Sequence, residues 1–451
     1  MAEILPFTAV RYPQLEQTTL VAPPYDVLSA ADKQNYLAAN PHNIVAIDLP
    51  HVPPKQAGPA EAYAAAGKTL RNWLATGVLC RDPAPALYPY GQTFTHDGVT
   101  YKRRGLFCRV RLQDFDPQGT IHPHEQTFSG PKEDRLQLLR ATQVNLSPIF
   151  GLFDDPGNTI TDRLFAAATA PPVATAALPA QDGSSHILSE LWRVDDAAAI
   201  AAVQEAFIGK HLYIADGHHR YTTALTWQRE LAAREGGILP PEHPANYILF
   251  GLVALQDPGL IVLPTHRVVG GLRGFSCPAL LQAAGGWLEP LPGHWRLDQL
   301  ERMVKKLPAL GAHAVGIYDA AAQTAIAVQP TSADPLREFS TDPALQGKSE
   351  SWRQLDVAIL QYLIFDRIVT PHFAASTAIH WAFPHEAKDV AALCRGGEYQ
   401  AGFLLQPTPL AAVRQLCHQH ELMPQKSTFF YPKLATGMVM NALFQGVDWG
   451  S

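Results

Sequence analysis

The sequence predicts a mixed α/β fold with α+β character, on three observations. Residues 87–115 alternate in polarity around His96-Asp97-Gly98, the pattern of a hairpin. The run His211-Leu-Tyr-Ile-Ala empties through Asp216-Gly217 into a helix-like segment, Tyr221 to Arg234. Helical stretches interleave with apolar strand-length runs along the rest of the chain. At 451 residues the chain exceeds one ordinary core. An N-terminal segment, 1–90, is expected to pack on a core, 91–270, followed by a C-terminal α/β domain, 271–451.

The elements follow in order. Val21-Ala-Pro-Pro-Tyr-Asp26-Val is stiff and extended, because two prolines forbid a helix. Ser29 is an N-cap for a helix from Ala30 to Ala39, which Asn40-Pro41 ends. Glu61 to Thr76 is a second, Ala-rich helix ending at Gly77. After the hairpin, the polar loop Ile121-His122-Pro-His124-Glu125-Gln-Thr127 precedes a helix that Pro131 opens, running to about Thr142. Ser147 to Phe153 is a short apolar strand. Residues 165–185, rich in Ala, Pro and Thr, suggest a surface excursion or a poor strand. Leu191 to Val194 is a strand, Ala197 to Gly209 a helix, Asn246 to Leu255 a buried strand and Leu260 to Pro264 another. Helices are expected at Leu297–Lys306 and Arg353–Phe365.

Composition narrows the function. The net charge is -6 and no basic block occurs. Nucleic-acid binding as a main role is disfavoured, since phosphate neutralisation needs a clustered positive face. No apolar window is long enough to span a bilayer, and no signal peptide is expected. Cys80, Cys108, Cys277, Cys394 and Cys417 are widely spaced without a C-x-x-C, so reduced thiols in the cytoplasm are expected. A small-molecule substrate is the expected partner, and a homodimer is compatible with the sequence.

The chemistry-bearing residues centre on Asp216-Gly217-His218-His219-Arg220. A strand that empties into a helix N-terminus through glycine makes an anion site, because backbone N–H groups and the helix dipole both favour negative charge. Arg220 adds a bidentate partner for phosphate or carboxylate. Asp216 can hold a metal ion or accept a proton. His122, His124 and Glu125 form a second polar group, which has no zinc spacing and reads equally well as a solvated loop. Lys132 and Arg135 share one face of a helix's first turn, where they oppose the dipole. That placement suggests an anionic ligand, although a solvated face is the commoner explanation. Asn145 and Ser147 follow that helix. Thr265-His266-Arg267 ends a strand. Lys426-Ser427-Thr428 resembles the tail of a P-loop without the G-x-x-x-x-G-K that such a loop needs, so a Walker site is rejected. No G-x-S-x-G occurs, and no G-x-G-x-x-G follows a strand.

These residues resemble a bacterial and archaeal family known as a domain of unknown function, number ten-fifteen. The resemblance covers nearly the whole chain. It rests on Ala22-Pro-Pro-Tyr-Asp26, Asn40-Pro41, His124-Glu125, Pro131-Lys132, Asp134-Arg135, Asn145-Leu-Ser147-Pro, Ala215-Asp-Gly-His-His-Arg220-Tyr, Pro264-Thr-His-Arg267 and Lys426-Ser-Thr-Phe-Phe-Tyr-Pro432-Lys. Locally, Asp216–Arg220 is similar to the phosphate-binding turn of the ParB/sulfiredoxin superfamily, above all of its free serine kinases.

This resemblance implies a ParB/sulfiredoxin-like core with large N- and C-terminal additions. It implies phosphotransfer to the hydroxyl of a small hydroxy amino acid, as in a serine kinase or a phosphoserine phosphatase running on the same site. Mg²⁺ and ATP or ADP, or pyrophosphate, are the implied cofactors. Glu125, Asp216, His218 and His219 would be catalytic. Gly217, His219, Arg220, Lys132, Arg135, Thr265, His266 and Arg267 would bind phosphate or nucleotide. His122, His124, Asn145, Ser147, Lys426, Ser427 and Thr428 would face the substrate, and Asp216 with Glu125 would hold the metal, directly or through water. The alternatives are a nucleotide-binding regulator without turnover and a metal-dependent hydrolase built from the histidine clusters.

Overall fold

The computed structural model describes residues 2–126, 129–180, 185–374 and 379–444. Thr127, which closes the polar loop, and residues 181–184 lie outside them. Contacts divide the chain into two units: residues 1–123, 127–261 and 432–451 in one, residues 124–126 and 262–431 in the other. The expected limits at 90 and 270 differ from these for a topological reason. Ile4–Leu5 pairs with the strand Val99–Arg111, and Ala9–Arg11 pairs with Met440–Ala442. Both chain ends are therefore woven into the sheets of the first unit.

The first unit is built on a mixed sheet. Its strands lie in the order Ile121–His122, Leu212–Asp216, Ile149–Phe153, Tyr247–Ala254, Val99–Arg111, Tyr88–His96, His186–Leu191 and Ala174–Pro179, with Ile4–Leu5 added beside Val99–Arg111. The hairpin forms as its sequence predicts. Asp97 and Gly98 both take positive φ, 51° and 74°, as a tight two-residue turn requires. Tyr247–Ala254 is buried along its whole length, which matches its unbroken apolar run. Residues 165–185 differ from expectation. Ala174–Pro179 is a regular edge strand with alternating burial, because alanine and threonine suffice where one face alone is covered. The next strand is His186–Leu191, earlier than the Leu191–Val194 that its aliphatic residues suggest.

The first long helix starts where its cap places it. Ser29 accepts from the Asp32 N–H while Asp32 reaches back to Ser29, a reciprocal capping box for Ala30–Ala39. Ala60–Ala75 and Ser129–Thr142 follow the expected segments within a few residues.

The second unit has its own antiparallel sheet, ordered Leu288–Arg296, Thr324–Pro330, Val315–Asp319, Tyr399–Leu404, Arg267–Gly270 and His380–Ala382. Leu300–Leu310 and Ala387–Arg395 bury their apolar faces in the core beside it. The expected helix at Arg353–Phe365 is instead two short α-helical turns, Glu350–Arg353 and Asp356–Ile359, followed by the π-helix Leu360–Val369. Among the described residues no helix is long and apolar enough to cross a membrane.

Candidate functional site

Leu212–Asp216 is apolar and buried until its last residue. It pairs in parallel with Ile121–His122 and antiparallel with Ile149–Phe153. The second pairing slips between Ile214 and Asp216, an irregularity that re-aims the strand end. Gly217 follows at φ 94°, a left-handed conformation costly for any side chain. The helix His218–Arg234 then begins at once, three residues ahead of Tyr221, with no side-chain cap at its N-terminus. Its first-turn N–H groups have no intrahelical partners by geometry. Tyr221 anchors the turn, its hydroxyl donating to the Gln113 carbonyl at 2.8 Å and accepting from the Gln113 N–H at 2.9 Å.

Asp216 is the electrostatic centre. One carboxylate oxygen lies 2.9 Å from Arg220 Nη2 and the other 3.1 Å from Lys433 Nζ. These side chains are 19%, 12% and 11% exposed respectively. Burial pushes the Asp216 carboxyl up, but Lys433, Arg220 and His218 outweigh it and hold it well below the usual carboxylate range. Arg220 also donates to the Pro148 carbonyl.

Lys433 closes the Lys426–Lys433 motif, and nothing beside it in the sequence marks it as a partner of Asp216. The interior of the sheet holds it in place. Arg103 is buried at 2% exposure, with its guanidinium over the Phe150 ring, and donates to the Pro432 carbonyl at 2.5 Å; Gln92 donates to the Lys433 carbonyl at 3.2 Å. Further along, Ala22 and Thr436 exchange backbone hydrogen bonds at 3.2 and 2.8 Å. The Ala22–Asp26 motif therefore meets the segment that follows Lys433, within the first unit.

Beside Arg220 lies a buried acid–base cluster. Arg135 donates to Asp134 at 2.9 Å and to the Asp48 carbonyl at 2.7 Å, and its guanidinium covers the Tyr25 ring at 3.8 Å. Tyr63 donates to Asp134 at 2.7 Å, and Ser147 bridges Asp48 and Thr436 at 3.2 and 3.0 Å. Burial pushes the Asp48 carboxyl up, against the opposing pull of Arg135, Arg220 and Ser147. Asp48, Arg135, Asn145, Ser147 and Arg220 line a cavity of about 50 Å³, room for a water or two and not for a nucleotide. Arg135 is thus committed to carboxylates rather than presented to solvent. Asn145 is spent on structure, accepting from the Leu249 N–H and from Asn441. Lys132 is half-buried in the same helix. His122 is buried against His211, with ring nitrogens 2.7 Å apart.

The other sequence-derived residues belong to the second unit. The Lys426 N–H donates to Glu125 at 2.5 Å, and His124 meets the Thr428 hydroxyl at 2.9 Å. Arg267 donates to the carbonyls of Thr265, Gln425 and Lys426. His266 accepts from the Leu405 N–H; burial, then His385 and Arg267, pull its pKa down to about 3, so it stays neutral. Ser427 donates to the Pro424 carbonyl. The sequence-derived residues are therefore divided between the two units, with Asp216 in the first and Glu125 in the second.

The donor set at Asp216 does not suit direct metal coordination, because each carboxylate oxygen already holds a cation. Among the described residues no group of three or more His, Cys, Asp or Glu side chains is placed to bind a metal.

The chain belongs to the family described as a protein of unknown function, DUF1015, whose model matches residues 4–358. No curated protein matches it. Among solved structures it is similar to a free serine kinase in complex with AMP, 12% identical over 69% of this chain and 83% of that one, at a TM-score of 0.31. A conserved hypothetical protein from Pyrococcus furiosus is 14% identical over 71% and 91%, at 0.32. SbnI from Staphylococcus aureus, truncated at its C-terminus, is 10% identical over 72% and 86%, at 0.33.

Proposed function

We propose that this member of the DUF1015 family is a phosphotransferase acting on the hydroxyl of a small hydroxy amino acid of the serine class, with ATP, ADP or pyrophosphate as donor. The supporting observation is the Asp216 turn, where Arg220 and Lys433 converge on one carboxylate at an uncapped helix N-terminus. Phosphoryl transfer needs little covalent help from the protein. It needs positioning and neutralisation of spreading negative charge, which two cations and a helix N-terminus supply.

In this reading Asp216 is a positioning residue. A carboxyl held so far below its usual range is a weak base, and its use is to fix Arg220 and Lys433. Gly217 lets the phosphate approach the backbone, and the N–H groups of His218 and His219 meet its oxygens. The acceptor oxygen attacks the transferring phosphorus as the bond to the leaving phosphate breaks. The hydroxyl proton passes to His219, the half-exposed imidazole of the turn, whereas His218 is buried. A divalent ion enters with the donor as part of the substrate.

The test incubates the chain and Mg²⁺ with L-serine and each donor in turn, and reads phosphoserine by ³¹P NMR. Formation of phosphoserine with one donor is expected. Phosphate release from phosphoserine without nucleotide identifies the reverse, phosphatase direction. The absence of both reactions refutes the proposal.

A further inference from the structure

The second unit holds a cavity of about 580 Å³, in the size range of small-molecule sites. Its walls combine two chemistries. Trp381 and Phe383 supply aromatic faces inclined by only 13°, with centroids 6.5 Å apart. Arg267, Lys348 and Lys426 supply positive charge. The Arg267 guanidinium lies over the Phe383 ring at 5.0 Å, and Lys348 Nζ over the Trp352 ring at 4.8 Å. Trp352 is itself fixed by donating to the Leu422 carbonyl at 2.9 Å.

Three features make this a built site. Arg267 is 6% exposed and fixed by backbone carbonyls, so its charge is preorganised. Burial pulls its pKa down to about 10, against Glu125, and it stays cationic at neutral pH. The acid in the wall, Asp366, accepts from Gln361 at 3.0 Å, and burial pushes its carboxyl up. Finally, Gln361, Tyr362 and Asp366 come from the ten-residue π-helix Leu360–Val369. π-helical backbone is rare, and π-helical turns within α-helices are frequent at functional sites.

We infer that this cavity binds a planar, ring-bearing anion, an aromatic carboxylate or an aromatic phosphate ester, stacked on Trp381 and Phe383 with its charge toward Lys348, Lys426 and Arg267. Aromatic faces alone suit any apolar ring, and cations alone suit any anion. Together in one cavity of this size they select a ligand that carries both. This site is independent of the phosphotransfer reading, which rests on the first unit.

Calorimetric titration of the full chain with indole-3-propionate, phenyl phosphate, indole and inorganic phosphate tests it. At least one ring-bearing anion binds saturably, and the ring alone and the phosphate alone bind weaker by about tenfold or more. The tighter of the two anions identifies the headgroup. Lys348→Gln and Trp381→Leu each weaken binding about tenfold, whereas Arg220→Ala leaves it unchanged. If Trp381→Leu fails to fold, Lys348→Gln carries the comparison alone. The inference is overturned if neither ring-bearing anion binds, if Lys348→Gln binds as the parent does, or if binding is lost in Arg220→Ala.

Discussion

Replacing Lys433 by methionine removes one of the two cations that hold Asp216 ionised. At 3.1 Å and an effective dielectric near 20, the gross attraction is about 5 kcal/mol. Desolvating a side chain left 11% exposed offsets part of that. Removing one partner of a buried pair costs about 3–5 kcal/mol when the remaining charge is stranded. Here Arg220 stays at 2.9 Å, so the expected loss at neutral pH is nearer about 2 kcal/mol.

The pH dependence carries a sign. Because the folded carboxyl lies below its ordinary value of about 3.9, its stabilisation is complete above that value and is lost as pH falls through the folded one. Lys433→Met raises the folded value, so its deficit is full at pH 7 and smaller at about pH 2, below the ordinary carboxylate value. Urea denaturation of parent and variant at both pH values measures this. A deficit of equal size at both, or none at either, refutes the electrostatic reasoning.

Other perturbations have equally direct readings. Gly217→Ala places a Cβ 3.0 Å from Ile149 Cδ1 and 3.1 Å from Arg220 Nη2 at φ 94°. It should cost about 1–3 kcal/mol in thermal or chemical denaturation and displace Arg220. Arg135→Met strands Asp134 and Asp48 in the interior and should destabilise the first unit by about 3–5 kcal/mol, whereas a loss under 1 kcal/mol would mean the cluster is not buried as described. Ser29→Ala removes a capping box and should cost about 1 kcal/mol, with Asp32→Ala similar and the pair less than additive. Burial pushes the thiols of Cys277, Cys394 and Cys417 up to about 12 and that of Cys108 higher still. In the native chain at pH 8, a thiol reagent should therefore modify Cys80 first and the other four only on unfolding.

Local signals were legible in the sequence. Asp97-Gly98 placed the hairpin, Ser29 placed its helix, and the abrupt end of an apolar run at Asp216 placed the candidate site. Each needs only a few neighbouring residues. The helix start moved from Tyr221 to His218 because Gly217 takes a left-handed conformation, which lets the helix begin without a polar cap. Partners far along the chain were not legible. Lys433 reaches Asp216 because Arg103 and Gln92, inside the sheet, hold its backbone. Arg135 read as one of a pair of cations on a helix face. Asp48, from a different segment, draws its guanidinium inward. Glu125 and Asp216 fall in separate units, a division that their order along the chain does not reveal.

The central claim is that Arg220, fixed by Asp216, grips a phosphate in transfer. The most direct measurement is the initial rate of phosphoserine formation by the parent chain, Arg220→Ala and Asp216→Asn, each shown to be folded by circular dichroism. Turnover is expected in the parent, with a loss of about a hundredfold or more in Arg220→Ala and a smaller loss in Asp216→Asn. Equal rates in parent and Arg220→Ala, or no phosphoserine from the parent with any donor, would contradict it.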